Sequence, residues 1–185
     1  MECGRSRDTI RRSALAGWAG YGYSRSHSRW FRGLKPHPVC TPAGLPVTRA
    51  LANPKVDGRQ VPAALVETEP ELARERPGLL VLADKGHVSA ELGRFLDRHG
   101  ITLLRPSCRN RTPRPGEGLL KSVRRLIGSV NDTLKGQLGL EQHGGRTIEG
   151  LGARIGRRLP ATTCAIWHNR TTGQLVTRSL TACDH

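Results

Sequence analysis

Residues 79–92 read LLVLADKGHVSAEL, five apolar side chains running into an acid, a lysine and a glycine. Leu79 to Ala83 has the length and branching of a strand buried on both faces, where a polar side chain needs a partner. Asp84 therefore falls just past the strand's carboxyl end, and Gly86 lets the backbone turn. Open α/β sheets bind ligands at that end of their strands, and a carboxylate there can hold a hard cation or take part in catalysis. A turn aspartate capping the following helix has the same surroundings in sequence. The spacing leaves both readings open.

No other chemistry-bearing residue type clusters. Cys3, Cys40, Cys108, Cys164 and Cys183 are scattered and form no Cys-x-x-Cys pair, which argues against a structural zinc site and a disulfide framework. The histidines, His143 and His168 among them, do not recur at ligand spacing. Aromatics make up 4% of the chain, which weakens base stacking as a mode of binding and favours phosphate contact. Charge is the stronger signal: 30 Lys and Arg against 15 Asp and Glu give +15 over 185 residues. A field of that size attracts phosphate backbones or anionic membranes. No apolar run approaches the ~20 residues that span a bilayer, and no secretory segment opens the chain. The expectation is a soluble, intracellular protein with no membrane partner.

The elements that must position Asp84 follow from the pattern around it. Residues 1–29, rich in Arg, Ser and Gly, read as a flexible basic arm, with a mitochondrial presequence as the alternative. WFRGLKPHPVC, the turn PAGLP and VTRALA predict a β-hairpin, in which Pro36 and Pro38 each remove a ladder donor. That strand should lie at an edge or be irregular. A weak helix is expected over residues 59–75, with Val61, Leu65 and Leu72 inward and Pro62 in its first turn. The strand before Asp84, a helix over 90–99 stopped by Gly100, and the strand ITLLRP make a βαβ unit. After the basic loop RNRTPRPGEG, Leu119, Val123, Leu126, Ile127, Val130, Leu134 and Leu138 recur at helical spacing. Arg124, Gly128, Asn131, Asp132 and Lys135 fall on the other side. A last helix over 147–167 should kink at Pro160. The organisation is thus a basic segment 1–29, an α/β domain 30–168 and a tail 169–185.

The strings WFRGLKPH, ADKGH, LLRPSCRNRTP, RRLIGSVNDTLKGQLGLEQHGGRT and AIWHNRTTGQLVTRSLTACDH together resemble bacterial insertion-sequence transposases of the Asp-Asp-Glu type. The resemblance spans nearly the whole chain and is closest to a group common in high-GC actinobacteria. It implies an RNase H-like mixed sheet flanked by helices, with three carboxylates holding two Mg²⁺ or Mn²⁺ ions that cut and rejoin DNA. Two hard cations ~4 Å apart stabilise the attacking and leaving oxygens of an in-line phosphoryl displacement. DNA is the implied partner, together with a homo-oligomer or a full-length transposase.

Carried over residue by residue, Asp84 matches the second acid and a metal ligand. The first acid of similar enzymes lies in Asp-Ser-x-Pro-Val just before Glu-Cys, whereas this chain begins Met1-Glu2-Cys3. That places it upstream and implies a truncated copy missing the first strand. The third acid follows a pattern close to Arg-x-x-Ile-Glu; Arg124 and Ile127 fit, and Gly128 stands in the glutamate's place. Glu141 is the alternative third acid. Such a copy is expected to be inactive. Candidate phosphate contacts are Lys35, Lys85, Arg109, Arg111, Arg124 and Arg146, with His37 on the strand face of Lys35. Each is otherwise a solvated surface charge. The competing readings are a non-enzymatic basic nucleic-acid-binding protein, in which Asp84 is only a turn residue, and a pseudogene product.

Overall fold

Alternation of small and large residues from Gly20 onward builds an antiparallel sheet, and helices and a parallel strand pair follow. In chain order the elements are β1 (Cys3–Gly4), β2 (Gly20–Ser24), β3 (Arg29–Cys40), β4 (Pro46–Ala52), α1 (Gln60–Thr68), α2 (Glu71–Arg74), β5 (Leu80–Leu82), α3 (Ala90–Arg98), β6 (Thr102–Leu104), α4 (Leu119–Asp132) and α5 (Ile148–Thr171). They come from a computed structural model that describes residues 3–4, 12–24, 28–87, 89–107, 112–142 and 144–181. The protein is α/β, with small sheets and helices in two units: Met1–Lys55 with Leu126–His185, and Val56–Arg125. That division cuts across the single domain expected over 30–168.

In the first unit β3 is the spine. Gly33 pairs with Gly4 of β1 on one edge and with Gly20 of β2 on the other. From Lys35 onward β3 pairs with β4, as the hairpin pattern predicted. Its turn is closed by Leu45 N donating to Thr41 Oγ1 at 3.1 Å, and Gly44 takes a φ of +89° that favours glycine. Pro36 and Pro38 sit within this half of β3, opposite Leu51 and Arg49. Their alternate spacing puts both missing donors on one edge, and the ladder to β4 is unbroken from Lys35 to Val39. The irregularity comes only after them, between Val39 and Cys40.

Composition alone misread residues 12–24 as part of a flexible arm. Ala14–Gly17 form a 3₁₀ turn, Leu15 is buried, and β2 pairs along β3. Leu15 and Leu34 join Val130, Leu134, Leu140, Leu151, Ile155 and Leu159 in one apolar core. α4 ends at Asp132 and passes into a π-helical turn, Thr133–Gln137, so its periodicity changes before Leu138, the last of the apolar positions that recur at helical spacing. α5 begins with Thr147 accepting from Gly150 N and continues past the expected end at residue 167, with Pro160 inside it, to Thr171. Gly156 gives room for Arg49 of β4, whose Nη2 would lie 2.9 Å from an added Cβ.

The tail, which carries no sequence pattern, is tied down by polar side chains. Fully buried Asn169 donates through Nδ2 to the carbonyls of Val176, Thr177 and Ser179. Gln137 donates to Ser179 Oγ at 2.8 Å and accepts from Leu180 N at 2.7 Å.

In the second unit the expected weak helix is two pieces, α1 and α2, parted at Pro70, with Pro62 in the first turn of α1. β5, α3 and β6 form the predicted βαβ unit, with β5 and β6 parallel and in register from Leu80↔Thr102 to Leu82↔Leu104. Gly100, at a φ of +71°, terminates the turn after α3. Val66, Leu92, Leu96 and Ile101 make its core. The strand is not buried on both faces, contrary to its apolar run: Leu80 is 48% exposed. It lines an open groove of about 410 Å³ with Thr102, Leu104, Arg114 and Leu119.

Candidate functional site

Asp84 stands where the pattern placed it, just past β5, after Ala83 N extends the ladder by donating to Leu104 O at 3.0 Å. Its Oδ1 accepts from Gly86 N at 2.8 Å and lies 3.0 Å from His87 Nδ1. Its carbonyl accepts from His87 N at 3.2 Å, which closes the 3₁₀ turn Lys85–His87. A Cβ at position 86 would lie 3.0 Å from Oδ1, so glycine leaves the carboxylate its room. The helix-capping alternative is corrected: Ser89 Oγ accepts from Leu92 N and caps α3, while Asp84 holds its own turn. The Asp84 side chain is 71% exposed and that of His87 25%. Sequence reasoning passed over His87. Its signal was the Asp-x-x-His spacing across a glycine turn.

Beside His87 runs a second turn. A Cβ added to Gly58 would lie 3.9 Å from His87 Nε2. Asp57 accepts from Arg59 Nε at 2.9 Å and from Arg59 N at 3.0 Å. Those hydrogen bonds, the side-chain one foremost, hold the Asp57 carboxyl down at about 2.

The two candidates for a third acid lie in the other unit. Gly128 is inside α4, and a Cβ built on it meets nothing within 4 Å. Glu141 lies in the 3₁₀ turn Leu140–Gln142 and pairs with Lys135 on the π-helical turn, with Nζ 3.4 Å from Oε1. Their side chains are 26% and 19% exposed, respectively. Among the described residues no group of three or more His, Cys, Asp or Glu comes together. With glycine at position 128 and Glu141 paired to a lysine, this donor set does not fit a pair of Mg²⁺ or Mn²⁺ ions, which need several convergent oxygens.

Of the basic candidates, Lys35 is exposed on β3, and His37, two residues on, shares its face and is half-buried. Arg124 is exposed on α4, and Arg146 is exposed before α5. Arg109, Arg111 and the Lys85 side chain lie outside the described residues. Three of the seven Trp, Tyr and Phe residues are grouped. Tyr21, Tyr23 and Trp30 stand together on β2 and β3, all exposed. A count over the whole chain hides that.

No family profile, curated protein or solved structure matches this chain. Among the described residues no helix is long and apolar enough to cross a membrane.

Proposed function

We propose that the chain carries part of the catalytic domain of an Asp-Asp-Glu transposase, of RNase H-like fold, and that, with glycine in the place of the third acid, it binds DNA without cutting it. The supporting observation is the division of the strands. An RNase H-like mixed sheet taken without one central strand divides into an antiparallel and a parallel part. The chain has an antiparallel sheet of β1 to β4 and a separate parallel pair, β5 and β6, with Asp84 at the carboxyl end of β5. The +15 charge supplies attraction to the phosphate backbone. In this reading the protein works on bacterial DNA in the cytoplasm, alongside further copies or a full-length transposase.

Duplex binding should weaken steeply with salt, by roughly 10³-fold between 50 and 200 mM for about six phosphate contacts. A flat salt dependence would refute the DNA-binding part. The chain as it stands should not nick transposon-end DNA with Mg²⁺ or Mn²⁺. A chain extended upstream through the Asp-Ser-x-Pro segment and carrying Gly128→Glu should nick it, and Asp84→Ala should abolish the cut. If the extended chain with native Gly128 already cuts, and Glu141→Gln stops it, Glu141 is the third acid.

Glycine at position 128 and the pairing of Glu141 with Lys135 favour a second reading, a non-enzymatic basic nucleic-acid-binding protein. DNA binding that persists while every extended variant stays inactive would select it.

A further inference from the structure

We infer that the open face of the β2–β3 ribbon is a stacking platform for single-stranded nucleic acid. This rests on the nucleic-acid reading above and names a second mode of contact, to bases instead of phosphates.

The two faces of the ribbon differ for a reason written in β2. Gly20 and Gly22 alternate with Tyr21 and Tyr23, and the glycines face inward. A Cβ on Gly22 would fall 2.5 Å from Phe31 Cζ and 2.8 Å from Pro54 Cβ; one on Gly20 would fall 2.1 Å from Asn53 Oδ1. The inner face is therefore closed by Phe31, Asn53 and Pro54, and the tyrosines must point the other way. The register sets Tyr21 opposite Arg32 and Tyr23 opposite Trp30. The Tyr23 and Trp30 ring centroids are 5.3 Å apart at 59°, and the Arg32 guanidinium carbon is 5.5 Å from the Tyr21 centroid.

Cross-strand pairing accounts for the contact between rings but not for their exposure. Trp30 remains 73% exposed, Tyr23 49% and Tyr21 43%. These four positions carry three π faces and one cation, with no aliphatic or acidic side chain. Such a surface matches a polyanion that itself carries π faces. Unpaired bases stack on aromatic rings without regard to sequence, while the protein's positive field draws the phosphates. Tyr21 and Tyr23 are two residues apart on one strand, about 7 Å, which suits successive unstacked bases each on its own ring. A duplex keeps its bases in its own stack and offers this face nothing.

The test compares binding of a labelled oligothymidine and a labelled duplex to the full chain by fluorescence anisotropy. Trp30→Ala and Tyr23→Ala should each weaken oligothymidine binding, by roughly 5- to 150-fold, and leave duplex binding unchanged. Trp30→Phe should retain most of the single-strand affinity. Photo-crosslinking of the unaltered protein to a 5-iodouracil-bearing oligonucleotide, followed by peptide mapping, should mark Trp30 or Tyr23 and guards against a variant that fails to fold. Oligothymidine binding indifferent to Trp30→Ala, or crosslinks confined to other segments, overturns the inference and leaves the duplex-binding reading standing. Absence of binding to either nucleic acid overturns both. A dimer that Trp30→Ala converts to monomer, with oligothymidine binding unaltered, would assign the face to a second copy of the chain and refute the platform.

Discussion

Replacing Gly128 with alanine should make the protein more stable. The residue lies inside α4, takes no positive φ, and an added Cβ meets nothing within 4 Å. No turn, cap or close approach requires glycine there. What the substitution changes is backbone freedom in the unfolded chain, where glycine forfeits about 1 kcal/mol relative to alanine in a helix interior. With no steric cost to subtract, Gly128→Ala should raise the melting temperature by roughly 2–4 °C for a chain of this length. Gly128→Glu should gain nearly as much, since the two residues differ by only a few tenths of a kcal/mol in helix propensity. Two other glycines serve as controls. A Cβ on Gly145 would lie 2.9 Å from the Leu151 backbone, and one on Gly22 would meet Phe31 and Pro54. Alanine at either should cost about 1–3 kcal/mol through overpacking. Thermal unfolding followed by circular dichroism measures all four. If Gly128→Ala lowers the melting temperature, the fold itself demands glycine, and position 128 cannot be read as the site of a replaced acid.

Three further perturbations test other parts of the structure. Asn169→Ala removes the amide that holds the carbonyls of Val176, Thr177 and Ser179; it should cost roughly 1–3 kcal/mol and speed proteolysis within residues 172–181, and unchanged proteolysis would show the tail held by other contacts. Asp57 titrates at about 2 against an ordinary 3.8, so its bond to Arg59 contributes fully above pH ~4 and is lost as pH falls through about 2; an NMR midpoint near 4 would refute the pairing. Burial pushes the Cys40 thiol up to about 11, whereas Cys164 is exposed; iodoacetamide at pH 8 should therefore modify the Cys164 peptide well before that of Cys40, and equal rates would contradict the buried position.

Strong local signals carried the elements that could be read from sequence. The apolar run before Asp84, the cap after α3 at Gly100 and the hairpin around Gly44 each rest on residues whose conformational needs are met within a few positions. What escaped depends on contacts distant in sequence. Leu15 sits in an arginine-rich stretch, and only the arrival of Val130 and Leu151 makes it core. Asn169 looks like any polar residue near a helix end, and its role comes from carbonyls that a patternless tail folds back to it. The exposure of Leu80 was hidden for the opposite reason: an apolar run says that a strand can be buried on both faces, and whether anything covers the second face is decided elsewhere. At the site, Asp84 was legible because strand ends announce themselves. His87 was not, since a histidine acquires meaning only once a turn brings its ring to an acid.

The turn and the metal site are not rival readings of Asp84. Gly86 N and His87 Nδ1 both engage Oδ1, while Oδ2 takes no hydrogen bond from the described residues. Two contacts on one oxygen fix the carboxylate's orientation and leave the other oxygen available, which is how supporting residues commonly hold a metal-binding carboxylate. Under the transposase reading, then, position 128 offers no carboxylate to accompany Asp84, while the posture of Asp84 itself is already set. That makes His87 a positioning residue with a measurable role. In the extended chain carrying Gly128→Glu, His87→Ala should lower metal-dependent nicking by roughly 10- to 100-fold and leave duplex binding unchanged. His87→Asn, which can keep a donor near Oδ1, should restore part of the loss. Complete loss, equal to that of Asp84→Ala and not relieved by asparagine, would mean that the imidazole acts on the substrate or the metal directly. Full activity in His87→Ala would mean that Gly86 alone orients the carboxylate and that the histidine belongs only to the turn.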